Sequence, residues 1–162
     1  MSVTILNSAN QILAGLLRGD TQFKPNVMYV EFQQGANPVT SLPGVDPADK
    51  NYYLDLRDGS HSDRDFLRIP VVSVTPQVGD DPNTIALLFN SLCIGTQGLG
   101  GKPTNGSVIY GIALAASPTY GTSIDDVTRD IVWGRGYYRP EDQILFSNQA
   151  QTAVTFKLNL TN

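Results

Sequence analysis

Apolar residues near the start of the chain recur at helical spacing: Ala9, Ile12, Leu13, Leu16 and Leu17 follow the i, i+3, i+4, i+7 rule. Asn7 or Ser8 can cap the start, and Gly19 stands where a glycine in a left-handed conformation would end it. The pattern predicts a helix over residues 7–19. After Phe23 the period changes to two. Met28, Val30 and Phe32 alternate with Tyr29, Glu31 and Gln33, and Val154, Phe156, Leu158 and Leu160 alternate with Thr155, Lys157 and Asn159. Each run predicts a strand with one buried face.

Between these runs lie short apolar segments at 52–56, 66–74, 85–94, 108–116, 130–133 and 144–146, separated by turn pairs such as Asn37-Pro38, Pro43-Gly44, Asp58-Gly59 and Asn105-Gly106. Pro70 removes a ladder donor inside its run, which is therefore an edge strand or two strands joined at a bulge. The segment Thr84 to Cys93 fits two descriptions. Asp81-Pro82-Asn83-Thr84 could cap a helix carrying Ile85, Leu88, Phe89 and Leu92, whereas Gly95 and the surrounding segments favour a strand. No internal repeat or low-complexity tract interrupts the chain. Many short strands with irregular loops predict an all-β fold, a jelly-roll-like β-sandwich with one short N-terminal helix, in a single domain spanning 1–162.

Composition narrows the function more than it names one. The 162 residues include one histidine, one cysteine and two glutamates beside fifteen glycines and ten prolines, a balance suited to turns and strands and poor in catalytic side chains. Only 16% of residues are charged, well below the roughly 25% of ordinary soluble domains, which implies that some of the surface is covered by another molecule. A net charge of −4 argues against nucleic acid as a main ligand. Cys93 lies in an apolar run and reads as a buried, inert thiol. The sequence shows no membrane span and no signal peptide, so synthesis in a cytoplasm is expected, and the sequons at Asn105 and Asn159 carry little weight.

Three clusters invite a functional reading. The glycine-rich stretch Gly95 to Thr104 fails as a phosphate loop, because Thr96 stands where the first glycine is required and Pro103 replaces the magnesium-binding hydroxyl; it reads as a long loop at which a partner could dock. The run Asp55 to Asp65 gathers four carboxylates and His61, but its spacing is not a calcium-loop pattern, and Arg57 and Arg64 stand among the acids as charge partners. No metal site, cofactor site or catalytic residue is assigned. The segment Trp133 to Pro140 offers Trp, Tyr and Arg side chains, the residue types enriched at contact hot spots, between glycines that would let them reach outward, and its aromatics could also stack on a glycan. The candidate contact residues are therefore Ile12, Leu13, Leu16 and Leu17 of the helix, Leu99 of the glycine-rich loop, and Trp133, Arg135, Tyr137, Tyr138 and Arg139.

The order of these features resembles small virion proteins of tailed bacteriophages: a short leading helix at Ser8 to Arg18, a strand Met28-Tyr29-Val30-Glu31-Phe32, a strand Asp65-Phe66-Leu67-Arg68-Ile69-Pro70, the segment Val108 to Leu114 and a clean terminal strand. The similarity spans most of the chain. It implies a β-sandwich module without catalytic activity, placed in the virion and attached to other virion proteins as a tail, baseplate or fibre component, or as a capsid decoration protein. A tail-side accessory or fibre-attachment role is the first expectation, with capsid decoration and glycan or receptor binding as alternatives. Homo-oligomerisation, with a trimer favoured, follows from the same resemblance.

Overall fold

Two antiparallel sheets organise the chain in a computed structural model, which describes residues 1–53, 64–78, 84–93, 99–100, 103–118, 125–147 and 151–161. The larger sheet runs β1 (Ser2–Ile5), β8 (Ile131–Tyr137), β7 (Val108–Ala116), β2 (Pro25–Gln33), β3 (Arg64–Pro70) and β6 (Leu99–Gly100), with β9 (Ile144–Leu145) paired to the start of β7. The smaller runs β10 (Thr152–Thr161), β5 (Thr84–Cys93) and β4 (Ser73–Val78). The fold is an all-β sandwich with one short helix near the N-terminus, α1 (Ala9–Leu17). A second helical turn, α2 (Asp125–Arg129), precedes β8.

Alternation explains the core. Met28, Val30 and Phe32 on one face of β2 pack against Phe89 of β5 and against Val154, Phe156 and Leu158 of β10. The ambiguous segment is a strand, paired with β10 from Thr84 opposite Thr161 to Cys93 opposite Thr152. Its helix-like spacing arises because Ile85, Leu87 and Phe89 occupy one face while Leu88 and Leu92 occupy the other, so an apolar residue falls at almost every offset. The run around Pro70 divides between the sheets. Pro70 ends β3 opposite Val27, the Val71 N–H donates to Asn26 at 2.9 Å in the larger sheet, and the Val72 N–H donates to Asn90 at 2.8 Å in the smaller.

Two irregularities set which side chains face outward. The β2–β7 register shifts between Glu31 and Phe32, which turns Ile109 toward the core and Tyr110 away from it. A second shift, between Leu114 and Ala115, leaves Trp133 of β8 as the extra residue; Trp133 packs on the core between the sheets and Val132 on the strap-covered side. Beyond that shift, β8 continues through Tyr137, which corrects the expectation that it ends at Trp133 and that the glycines after it free the aromatic side chains. Glycine instead admits close strand neighbours, as at Gly134, where a Cβ would sit 3.1 Å from the Thr4 carbonyl oxygen of β1.

The outer face of the larger sheet is covered by chain 34–53, which forms a strap. Val39 both donates to and accepts from the Gln143 side-chain amide at 2.8 Å, the Asn7 N–H donates to Pro47 at 2.8 Å, and Val45, Tyr52 and Tyr53 pack against Tyr29 and Phe66. Tyr52 and Tyr53 are helical, where the sequence suggested extended chain.

Helix α1 docks on this framework through Ala9, Ile12 and Gly15. A Cβ on Gly15 would run into the Phe23 ring, so the small residue lets the following turn close against the helix. Ser8, which could have capped the helix, donates its hydroxyl to the Val132 carbonyl at 2.6 Å and ties the helix start to β8. Ile12 is fully buried and belongs to the interior of this chain, which corrects its grouping with the contact residues.

Candidate functional site

The pairing of β2, β7 and β8 places Glu31, Gly111 and Tyr137 side by side on the strap-covered face. Gly111 makes room for the other two: a Cβ there would lie 2.7 Å from the Tyr137 ring and 3.3 Å from the Glu31 carboxyl carbon. The Glu31 carboxylate is fully buried and accepts hydrogen bonds from Tyr53 at 2.8 Å and Tyr52 at 3.1 Å. The Arg135 guanidinium, equally hidden, stacks 3.3 Å from the centre of the Tyr52 ring and donates to the Gly44 carbonyl at 3.4 Å. Burial raises the pKa of Glu31, against the opposing pull of Arg135 and the tyrosine hydroxyls. Burial and the neighbouring Glu31 charge push Tyr52 up to about 12.

One row along the sheet lies a second charged group. Arg68 of β3 grips Asp130 with two nitrogens, at 2.6 and 3.1 Å, and its guanidinium also donates to the Ser117 hydroxyl at 2.8 Å. Tyr29 donates to the same Asp130 at 2.5 Å, and its ring stacks on Tyr53 with centroids 4.0 Å apart. Tyr53 thus joins the two clusters. Burial and the Asp130 carboxylate raise the pKa of Tyr29, while hydrogen bonds and charge from Asp130 hold Arg68 protonated despite its burial. Arg68 and Asp130 form a buried ion pair, and the charge of Arg135 acts on Glu31. The arrangement clamps strap, sheet and the α2 connection together around the fully buried Glu31 carboxyl.

The sequence-assigned residues separate. Arg135 and Tyr137 are 2% and 8% exposed, so they contribute to the interior; what their segment offers a partner is the half-buried Trp133 and Tyr138 and the exposed Arg139. Leu99 lies in β6, where its backbone pairs with Arg68. Leu13 and Leu17 project from α1 away from its docked face, with Leu17 81% exposed, while Leu16, one turn after the buried Ile12, is 38% exposed at the edge of that face. Cys93 is buried, and burial raises its thiol pKa to about 11. His61 and the rest of 55–63 in the aspartate run lie outside the described residues, as do 95–98 and 101–102 of the glycine-rich loop. Among the described residues, no three His, Cys, Asp or Glu side chains gather into a metal-binding group, and no helix is long and apolar enough to cross a membrane.

The sequence reading passed over β4. Val74, Pro76 and Val78 lie on the face that continues the core side of β5, opposite Phe89, Leu87 and Ile85, while Ser73, Thr75 and Gln77 face the other way. Every residue of β4 is exposed. Beside it opens a cleft of about 510 Å³ lined by Pro25, Val71, Val72 and Val74, with Thr21 and Lys24 also on its wall. At the far end of β4, Val78, Ile85 and Leu160 stand in cross-strand register and are also exposed. The alternation of β4 was the available signal, obscured because Pro70 and the sheet switch made 66–74 look like one segment.

Comparison with known proteins finds no matching family model, no similar curated protein and no similar solved structure.

Proposed function

We propose that the chain is a non-enzymatic structural module of a tailed-phage virion, a tail-side accessory or fibre-attachment unit that works through protein–protein contacts. The observation that carries this reading is β4, a strand with the alternation of a half-buried element whose apolar face the chain leaves open. Open apolar surfaces of that kind mark contact sites. Two further features support it: the leucines that α1 turns outward, and a smaller sheet whose strands hold a single charged residue, Lys157. The particle itself is suggested by the resemblance of the element order to small virion proteins. A glycan platform at Trp133, Tyr137 and Tyr138 has less support, because Tyr137 is buried and the other two are half-buried.

Quantitative mass spectrometry of density-purified particles tests the reading. The chain is expected in fixed ratio to the tail proteins. Recovery with tail-less capsids would make it a decoration protein instead, and recovery only outside particles would refute a virion role.

A further inference from the structure

We infer that the free edge of β10 takes up one extended strand of another protein, which pairs with β10 and lies over the inner face of β1. The inference rests on the reading of the chain as a module that works through protein–protein contacts, and it names the form in which the partner presents itself. The ten residues of β10 pair with β5 from Thr152 to Thr161 without a register shift. Among the described residues, β5 is the only strand paired with β10, and no other backbone hydrogen bond reaches it. In a strand with one neighbour, every second residue turns its N–H and C=O away from that neighbour, so β10 offers a row of donors and acceptors along its open side. Sheet edges are ordinarily guarded by proline, by bulges or by shortness. The opposite edge of the same sheet is guarded in this way: β4 has six residues and contains Pro76, which has no N–H to offer. β10 has no proline and no bulge, and its single charge is Lys157.

The larger sheet leaves a place for the added strand. β10 packs nearest to β7 and β5 nearest to β3, and the larger sheet continues from β7 to β8 and β1. With neighbouring strands about 4.8 Å apart, β8 and β1 extend about 10 Å past β10, where no described strand of the smaller sheet lies opposite them. A groove of about 400 Å³ opens there, between Met1, Val3 and Ile5 on one side and Lys157, Leu158 and Asn159 on the other. Val3 and Ile5 share the face of β1 that turns toward the core; Val3 packs on it, and Ile5 is 44% exposed.

Edge and groove together specify the occupant. A row of backbone donors and acceptors is satisfied by another extended chain, not by a helix or a lipid surface. The space over β8 and β1 sets its width. A second copy joined through β10 would bring the overhanging β8 and β1 of its own larger sheet into that space, whereas a lone strand fills it. Alternation sets its side chains. Those facing inward meet Val3, Ile5 and Leu158 and are apolar, while those facing outward continue the exposed row of Thr155, Lys157 and Asn159 and are polar.

Hydrogen exchange of the full chain, read amide by amide by NMR, tests the inference with synthetic ten-residue peptides that carry valine, isoleucine or phenylalanine at alternate positions and threonine between them. In the free chain every second amide of β10 should exchange rapidly. Peptide should slow those amides and leave the free-edge amides of β4 unchanged, and peptides of the same composition in scrambled order should protect nothing. Ile5→Lys places a charge where the inward side chains seat, and should weaken peptide binding by about tenfold or more. Because Ile5 is already 44% exposed, circular dichroism and the melting temperature of this variant should match those of the parent chain. The inference is overturned if no peptide of the set protects β10, if scrambled peptides protect it equally, or if Ile5→Lys binds as the parent does. Slow exchange of the same amides in the free chain, through self-association or otherwise, also overturns it. These measurements use the isolated chain, so their failure leaves recovery of the chain with particles, and with it the virion reading, untouched.

Discussion

Holding Glu31 away from water raises its carboxyl pKa above 4.5, burial outweighing the pull of Arg135 and the hydrogen bonds from Tyr53, Tyr52 and Tyr137. The folded chain therefore keeps this proton to higher pH than the unfolded chain does. Above the unfolded value the folded state binds more protons, so this group makes stability fall as pH rises toward the folded value. Glu31→Gln removes that dependence. Urea unfolding at about pH 5 and about pH 8 should show the variant gaining stability relative to the parent chain at the higher pH; an unchanged difference would mean that the carboxyl is not held as described. The alternation of Met28, Val30 and Phe32 correctly turns Glu31 to the opposite face of β2. It could not show that this face is covered, because the covering Tyr52 and Tyr53 come from a segment whose fold depends on contacts distant in sequence.

Helix α1 has two apolar faces with different employment. Ile12 is fully buried, so Ile12→Ala should cost about 2–5 kcal/mol by removing packed methyl groups. Leu13 is 48% exposed, and Leu13→Ala should cost the dilute chain far less. Thermal or urea unfolding of the two variants below the concentration at which chains associate checks the contrast, and equal losses would contradict the orientation of the helix. The existence of α1 was readable from spacing, but its orientation was not. Small residues decide it: Ala9 and Gly15 bring the backbone close to its support, while the larger leucines, which a simple apolar stripe turns inward, are left outside. For β4 and β5 the difficulty was different. Apolar residues at nearly every offset mimic a helix, and the change of sheet at Val71 and Val72 leaves no mark in hydropathy.

At the scale of the molecule, the sandwich followed from turn chemistry and from the two alternating strands that became β2 and β10. Strand order did not, because β1 pairs with β8 and β2 with β7 across most of the chain, and no local pattern records such partners. The buried pairing of Arg68 with Asp130 was hidden for the same reason. The scarcity of charge on the smaller sheet and on α1 bears on the thermodynamics of association. With Lys157 as the lone ion among the strands β4, β5 and β10, a contact that uses this side of the molecule gives dissolved salt almost nothing to screen. Its strength should change little over an about tenfold range of ionic strength. Burial of apolar surface lowers heat capacity on association, and its driving force weakens on cooling. Sedimentation across salt and temperature should accordingly find complexes that tolerate brine and come apart in the cold.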